Sequence, residues 1–305
     1  MAATDVRMPI PVILDTDIGT DIDDTWALAM LLNSPELDLR LVVSATGNTL
    51  VRARLIARLL EVAGRGDTPI GIGLRLAELP IHQAAWVEGY DLARYPGPVH
   101  RDGVDAIVET IMASPRPVTV IGIGPLPNIA AALEREPRIA ERARFVGMQG
   151  SVRRGYGGRA QVDAEYNVYC YPLACRQTFN APWPVTITPV DTCSLVRLSG
   201  ARYAAVRDCP APLTQAVIEN YRVWARSTGR GSPDPERESS TLYDTVAIYL
   251  AFAEELLVVE TLGIQVTDDG YTRIDEAAKQ VRCATEWRDR EAFEDLLVAR
   301  LTGDR

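Results

Sequence analysis

Along the chain, short apolar runs of strand length alternate with segments whose apolar positions recur every third or fourth residue. "PVILD" (11–15) is almost wholly apolar up to its last residue, the mark of a strand buried on both faces. "DTWALAMLLNS" (24–34) puts Trp26, Ala27, Met30 and Leu31 on one stripe, which is helical spacing. The alternation continues with strand at "LRLVVSATG" (39–47), an amphipathic helix at "LVRARLIARLLEVAG" (50–64) closed by Gly64, and a short strand at "TPIGIG" (68–73). Helix is predicted at 104–114, strand at 117–124, helix at 127–136, strand at 144–148, helix at 172–180 and strand at 184–189. This order predicts an α/β fold with a mostly parallel central sheet flanked by helices on both faces. The second half is more helical, at 211–227 and 242–253. Residues 256–267 and 278–285 predict a small antiparallel addition near the C-terminus, and 290–303 a closing helix. Three long unpatterned stretches, 74–103, 149–164 and 228–241, are rich in Gly, Pro and charge. Loops of that length commonly carry function. No internal repeat or low-complexity tract interrupts the pattern, so a single domain over 1–305 is expected.

Composition narrows the partners. Hydrophobic residues are 47% and charged residues 24%, an ordinary globular balance. The formal net charge of −9 argues against nucleic acid or an anionic membrane as partner, because both require a basic face. The cysteines Cys170, Cys175, Cys193, Cys209 and Cys283 are scattered and form no C-x-x-C, which points away from a zinc site or a disulfide framework. A reducing cytoplasm is the expected setting. The N-terminal apolar run is too short for a signal peptide, and no segment approaches the ~20 apolar residues of a membrane span.

The candidate chemistry sits in "ILDTDIGTDIDDTWALAML", which crowds Asp15, Asp17, Asp21, Asp23 and Asp24 at the end of a buried strand. Ligands of a parallel sheet bind outside the carboxyl ends of its strands. One aspartate there is explained by a helix N-terminus, whose dipole favours negative charge. Five are not, because crowded like charges escape only by protonation or by binding a cation. Oxygen ligands select a hard ion such as Ca²⁺ or Mg²⁺. An EF-hand loop is excluded, since its required glycine and glutamate positions hold Thr20 and Trp26. "ILDTDIGT" also resembles the D-x-D-G-T signature of haloacid-dehalogenase-type phosphatases, with one extra residue before Thr20. That alternative makes Asp15 a nucleophile with Mg²⁺ and needs a later lysine, and Lys279 is the chain's only one.

The stronger resemblance is to nucleoside hydrolases of the inosine–uridine-preferring family, whose motif is D-x-D-P-G-x-D-D after a buried strand. Here Asp15-Thr16-Asp17-Ile18-Gly19 is followed, after an insertion, by Asp23-Asp24. "ATGN" (45–48), "IGIGPLPNIAAAL" (121–133), "AEYN" (164–167) and "YDTVAIYL" (243–250) follow in family order. The resemblance implies hydrolysis of the N-glycosidic bond of a ribonucleoside to base and ribose, with one Ca²⁺ per subunit and a water activated by Asp17. It implies Asp17, Asp24, Asp244 and the Ile123 carbonyl as metal ligands. Asp23, Asn48, Asn167 and Asp244 become contacts to the 2′- and 3′-hydroxyls, and Glu165 a contact to the 5′-hydroxyl. Relatives commonly form homodimers or homotetramers. A catalytically silent nucleoside- or sugar-binding protein is the remaining alternative.

The chain departs from the family pattern in three places. Two residues are inserted between Gly19 and Asp23, adding Asp21, which is expected to point outward, to stand behind the ligands, or to replace Asp23 as the sugar contact. The family asparagine before "AEYN" is missing, with Arg159 or Gln161 nearest. Tyr243, a catalytic candidate with Asp17 and Asp244, stands where purine-accepting members carry a histidine acid for the leaving base, and is expected to donate a proton there or to shape the pocket. The histidines His82 and His100 both lie in the 74–103 loop, where a surface role is expected. Trp86, Tyr90, Tyr221 and Trp224 are candidates for a base-stacking pocket. Residues 227–240 read as a lid, and Arg153, Arg154 and Arg159 as a basic cluster beside the site.

Overall fold

The computed structural model of the protein describes residues 8–229 and 233–303. Its strands are β1 (Ile10–Thr16), β2 (Leu37–Ser44), β3 (Ile70–Ile72), β4 (Val99–His100), β5 (Val118–Gly122), β6 (Ala143–Met148), β7 (Val185–Thr188), β8 (Leu257–Val266), β9 (Thr272–Ile274) and β10 (Gln280–Trp287). They form one ten-stranded sheet in the order β4-β3-β2-β1-β5-β6-β7-β10-β8-β9. Pairing is parallel from β4 across to β10, and β8 and β9 add the antiparallel edge. The expected antiparallel pair is therefore β8 with β10, joined to the parallel sheet through β7.

β1 lies at the centre and is buried almost end to end, which is why it reads as a continuous apolar run. Its residues still alternate between faces. Val12 and Leu14 join the core that holds α1 (Asp23–Leu32) and α2 (Thr49–Val62), while Ile13 joins the core that holds α3 (Gly103–Ala113) and α4 (Pro127–Arg135). The second core also receives α5 (Tyr166–Cys170) and α6 (Pro172–Asn180). The first receives α7 (Val190–Cys193), α8 (Gly200–Arg207), α9 (Pro212–Thr228), α10 (Thr245–Leu250) and α11 (Arg290–Thr302).

Strand order runs outward in opposite directions from β1 and β5, so the sheet has its switch point between them. A crevice opens there at the carboxyl ends of the strands. β1 delivers Asp17 to it and β5 delivers Ile123, and Asp15 pairs with Gly122 in the register between the two strands. β2 ends at Ser44, three residues before the expected end, because Thr46 and Gly47 turn left-handed at φ 57° and 54°. That turn breaks the ladder and starts α2. No helix among the described residues is long and apolar enough to cross a membrane.

Candidate active site

The loop from β1 into α1 forms the floor of the crevice. Asp23 and Asp24 are the first two residues of α1, and both are buried. Asp244 caps α10, the short helix against which α1 packs, and its backbone N–H donates to Asp23 Oδ2 at 3.3 Å. One carboxylate oxygen from each of Asp23, Asp24 and Asp244 lies within 4.8 Å of the others. Thr16 Oγ1 donates to Asp24 Oδ1 at 2.5 Å and orients it. Burial, then the neighbouring carboxylates, push all three acids well above the usual carboxylate range. Asp17 is raised by burial too, partly opposed by the guanidinium of Arg52. Arg52 offsets only part of the repulsion, acting on Asp17 and Asp24 from behind the loop, and its N–H groups bond elsewhere. They donate to the carbonyls of Asp17, Ile18 and Thr46 and to Thr20 Oγ1. An all-oxygen, buried and only partly compensated set is what a hard divalent cation fits.

Asp15 faces away from the crevice. Asn128 Nδ2 donates to it at 2.7 Å, and burial raises its pKa to about 7. A nucleophilic role for Asp15 therefore has no access to substrate. Lys279 Nζ donates to the carbonyls of Ala181 and Trp183, beside Val185 at the start of β7, so the phosphatase-like alternative also lacks its lysine.

The cleft above this floor has a volume of about 350 Å³, within the range of small-ligand sites. Asp17, Asp23, Asp24, Ile123, Glu165, Asn167, Trp224, Tyr243 and Asp244 all line it. On one wall, Glu165 caps α5 and accepts from the backbone N–H groups of Gly150, Asn167 and Val168, yet burial still lifts its pKa to about 7. Asn167 Nδ2 donates to the carbonyls of Ile123 and Met148 at 3.3 and 3.1 Å, which leaves its Oδ1 for a ligand. The 151–154 turn beside this wall is held by the Asp191 carboxylate, which accepts from the N–H groups of Val152, Arg153 and Arg154.

Several expected contacts lie elsewhere. Asn48 caps α2, accepting from Val51 N at 3.3 Å, and does not line the cleft. Trp86 is packed under the Arg58 guanidinium, 4.2 Å from its ring centroid, and donates to Glu219. Tyr221 is fully buried with its ring centroid 6.0 Å from that of Trp26, so both aromatics serve the core. Tyr90 hydrogen-bonds Glu61, again outside the cleft. Of the four candidate aromatics only Trp224 reaches it. Arg153 and Arg159 are paired with Glu260 and Asp163, and the basic cluster does not line the cleft. Neither Arg159 nor Gln161 fills the place of the missing asparagine; Tyr156 enters the wall instead.

Other side chains arrive where the sequence did not place them. Asp21 turns into the cleft rather than outward, because Gln83 Nε2 holds its carbonyl at 2.5 Å. His82 is brought to the cleft by its N–H bond to the Gly19 carbonyl, and its Nδ1 lies 3.1 Å from Ser227 Oγ. Arg52 was not singled out, yet it carried a trace in the sequence. It sits at helical spacing from Leu55, Ile56 and Leu59, as an arginine on an otherwise apolar face. Within the stretch read as a lid, Ser227 and Thr228 sit at the cleft side of α9, while 230–232 lie outside the described residues.

The family model described as inosine-uridine preferring nucleoside hydrolase matches residues 12–295. The chain is 31% identical over 276 residues to the non-specific ribonucleoside hydrolase RihC of Klebsiella pneumoniae, covering 86% of each chain. It is 29% identical to the pyrimidine-specific ribonucleoside hydrolase RihA of Salmonella arizonae, covering 96% of this chain and 99% of that one. A solved plant nucleoside hydrolase, the PpNRh1 enzyme, superposes with a TM-score of 0.81 at 23% identity, over 96% of this chain and 99% of the other. A purine-preferring ribonucleoside hydrolase from Gardnerella vaginalis superposes with a TM-score of 0.74 at 23% identity, over 96% and 98%. At such identity the structural likeness speaks for the fold, and the match along the sequence speaks for the family.

Proposed function

The chain belongs to the inosine–uridine preferring nucleoside hydrolase family, and we propose that it carries out that chemistry with calcium on the floor of the cleft. It hydrolyses the N-glycosidic bond of a ribonucleoside, releasing base and ribose. The observation that supports the metal reading is the approach of Asp24 and Asp244, with Asp23 beside them, to within 4.8 Å beneath a cleft that Asp17 also lines. Asp17, Asp24, Asp244 and the carbonyl of Ile123 are the ligands in this reading. A bound calcium ion would draw vicinal ribose hydroxyls and a water together and lower the pKa of that water.

Asp17 takes the proton of the attacking water on its carboxylate. The surrounding carboxylates stabilise the positive charge that grows on the sugar as the C–N bond breaks. Asp23 and Asp244 accept from the 2′- and 3′-hydroxyls, and Asn167 offers its open Oδ1 to the same diol. Glu165 receives the 5′-hydroxyl with the acceptor capacity its three backbone bonds leave over. Tyr243 borders the leaving base. The crowding of acids disfavours substrates bearing phosphate, so nucleosides are favoured over nucleotides. No nucleic acid or membrane partner is invoked. We place the enzyme in the cytoplasm, where its five free cysteines stay reduced, as a homodimer or homotetramer.

The test is release of free ribose from inosine, uridine and a nitrophenyl riboside, before and after chelation and on restoring calcium or magnesium. Ribose should appear, vanish with chelator and return best with calcium. Binding of nucleoside with no ribose release would instead favour a catalytically silent relative.

A further inference from the structure

We propose that the preferred substrate is a ribonucleoside whose base carries a fixed positive charge, an N-ribosyl pyridinium or an N7-alkylated purine riboside, selected by Asp21. The inference rests on the hydrolase reading and names the substrate class of that same cleft. Six carboxyl-bearing residues line the cleft, namely Asp17, Asp21, Asp23, Asp24, Glu165 and Asp244, and neither Lys nor Arg is among the described residues that do. Even with a divalent ion bound on the floor and Arg52 behind the loop, acidic groups would outnumber the cations that face them. A cationic ligand is drawn into such a field, and a neutral one gains nothing from it.

Asp21 is the carboxylate that the floor does not need, since Asp23, Asp24 and Asp244 converge without it. Its Oδ1 accepts from Ile22 N at 2.7 Å, and its Oδ2 takes no hydrogen bond from the described residues. The backbone around it is clamped. Gln83 holds the Asp21 carbonyl, Trp224 Nε1 donates to the Thr20 carbonyl at 3.2 Å, and His82 N donates to the Gly19 carbonyl at 2.8 Å. Trp224 has spent its only N–H on Thr20, so its ring carbons are what it presents to the cleft. Aromatic carbon beside a carboxylate is a good surface for a cationic ring.

The proton donors of the cleft point the same way. Burial pushes the phenols of Tyr156 and Tyr166 up, which makes them weaker acids. A cationic base needs no proton to depart. The electron pair of the breaking C–N bond goes to the ring nitrogen and leaves it neutral. Water adds to the sugar carbon, and its proton goes to Asp17 and then to solvent. The balance is riboside cation plus water to ribose, neutral base and one proton.

The experiment measures kcat/KM at pH 7, with calcium, for an N-ribosyl pyridinium, 7-methylguanosine, inosine and uridine, in the parent protein and in Asp21→Asn. The amide keeps an acceptor for Ile22 N, and a thermal melt confirms the variant folded. Cationic ribosides should be favoured at least tenfold over inosine. Because such ribosides are intrinsically labile, the deciding readout is the ratio. Asp21→Asn should lower the cationic-to-neutral ratio at least tenfold, mostly through KM, and added salt should lower it in the parent only. A ratio unchanged by Asp21→Asn, or a parent that prefers inosine, overturns the proposal and leaves the hydrolase reading standing. Ribose from no substrate at all overturns both.

Discussion

Gly124 occupies a point where a side chain has no room. A β-carbon built there would lie 2.6 Å from Asp17 Oδ1 and 2.9 Å from Asp17 N, so the space beside the proposed base is set by a missing methyl group. Gly124→Ala must therefore move Asp17. Since displacement of a reacting group by about 1 Å can cost ~10²-fold, kcat/KM should fall by about that factor while far-UV circular dichroism stays that of the parent. Full activity in the alanine variant would show that Asp17 does not need its present position. The residue scale also explains which aromatics serve the cleft. Trp224 and Tyr221 are three apart on α9, yet Tyr221 packs on Trp26 while Trp224 reaches the cleft near the end of the helix. Helical spacing puts both on neighbouring faces and does not say which meets substrate.

Among the elements, α2 does more than cover the sheet. Through Arg52 it fastens the loop between β1 and α1 that carries the acids, bonding the carbonyls of Asp17 and Ile18 and Thr20 Oγ1. The same guanidinium braces the left-handed Thr46–Gly47 turn that starts α2. Arg52→Met keeps much of the volume and removes every donor. Buried carbonyls left unpaired cost roughly 1–3 kcal/mol each, so a loss of roughly 3–5 kcal/mol is expected in denaturant unfolding. Calcium affinity should fall with it, since the loop loses its anchor. A variant as stable as the parent, with unchanged affinity, would contradict this role.

At the scale of the whole molecule, the acids couple folding to pH and to metal. Asp23, Asp24 and Asp244 are held well above 3.8, and Asp15 at about 7, first of all by burial. Without metal, the folded chain therefore binds more protons than the unfolded chain above pH 3.8. The stability tied to these groups is fully present below the unfolded pKa and is lost as pH rises through the folded values. In chelator, the protein should melt at a higher temperature at pH 5 than at pH 8. Excess calcium should raise the melting temperature most at pH 8, because the ion competes with protons for the same oxygens. Equal melting temperatures at the two pH values in chelator would mean that the cluster is not strained.

Much of this architecture was legible along the chain. Buried parallel strands are apolar throughout, and their helices are amphipathic, so β1, β2, β5, α2, α4 and α6 were expected within a few residues of where they stand. The short pieces β4, β9, α5, α7 and α8 were not expected, because runs this brief carry little periodicity and form against neighbours distant in sequence. The aspartates announced a cation before any fold was known, since charge repulsion between near neighbours is a property of the chain alone. That Asp15 turns to Asn128, that Asp244 joins Asp23 and Asp24 across more than two hundred positions, and that Asp21 and His82 reach the cleft were decided by tertiary structure. Local chemistry sets which groups need a partner; only the packed sheet and helices set which partner each one meets.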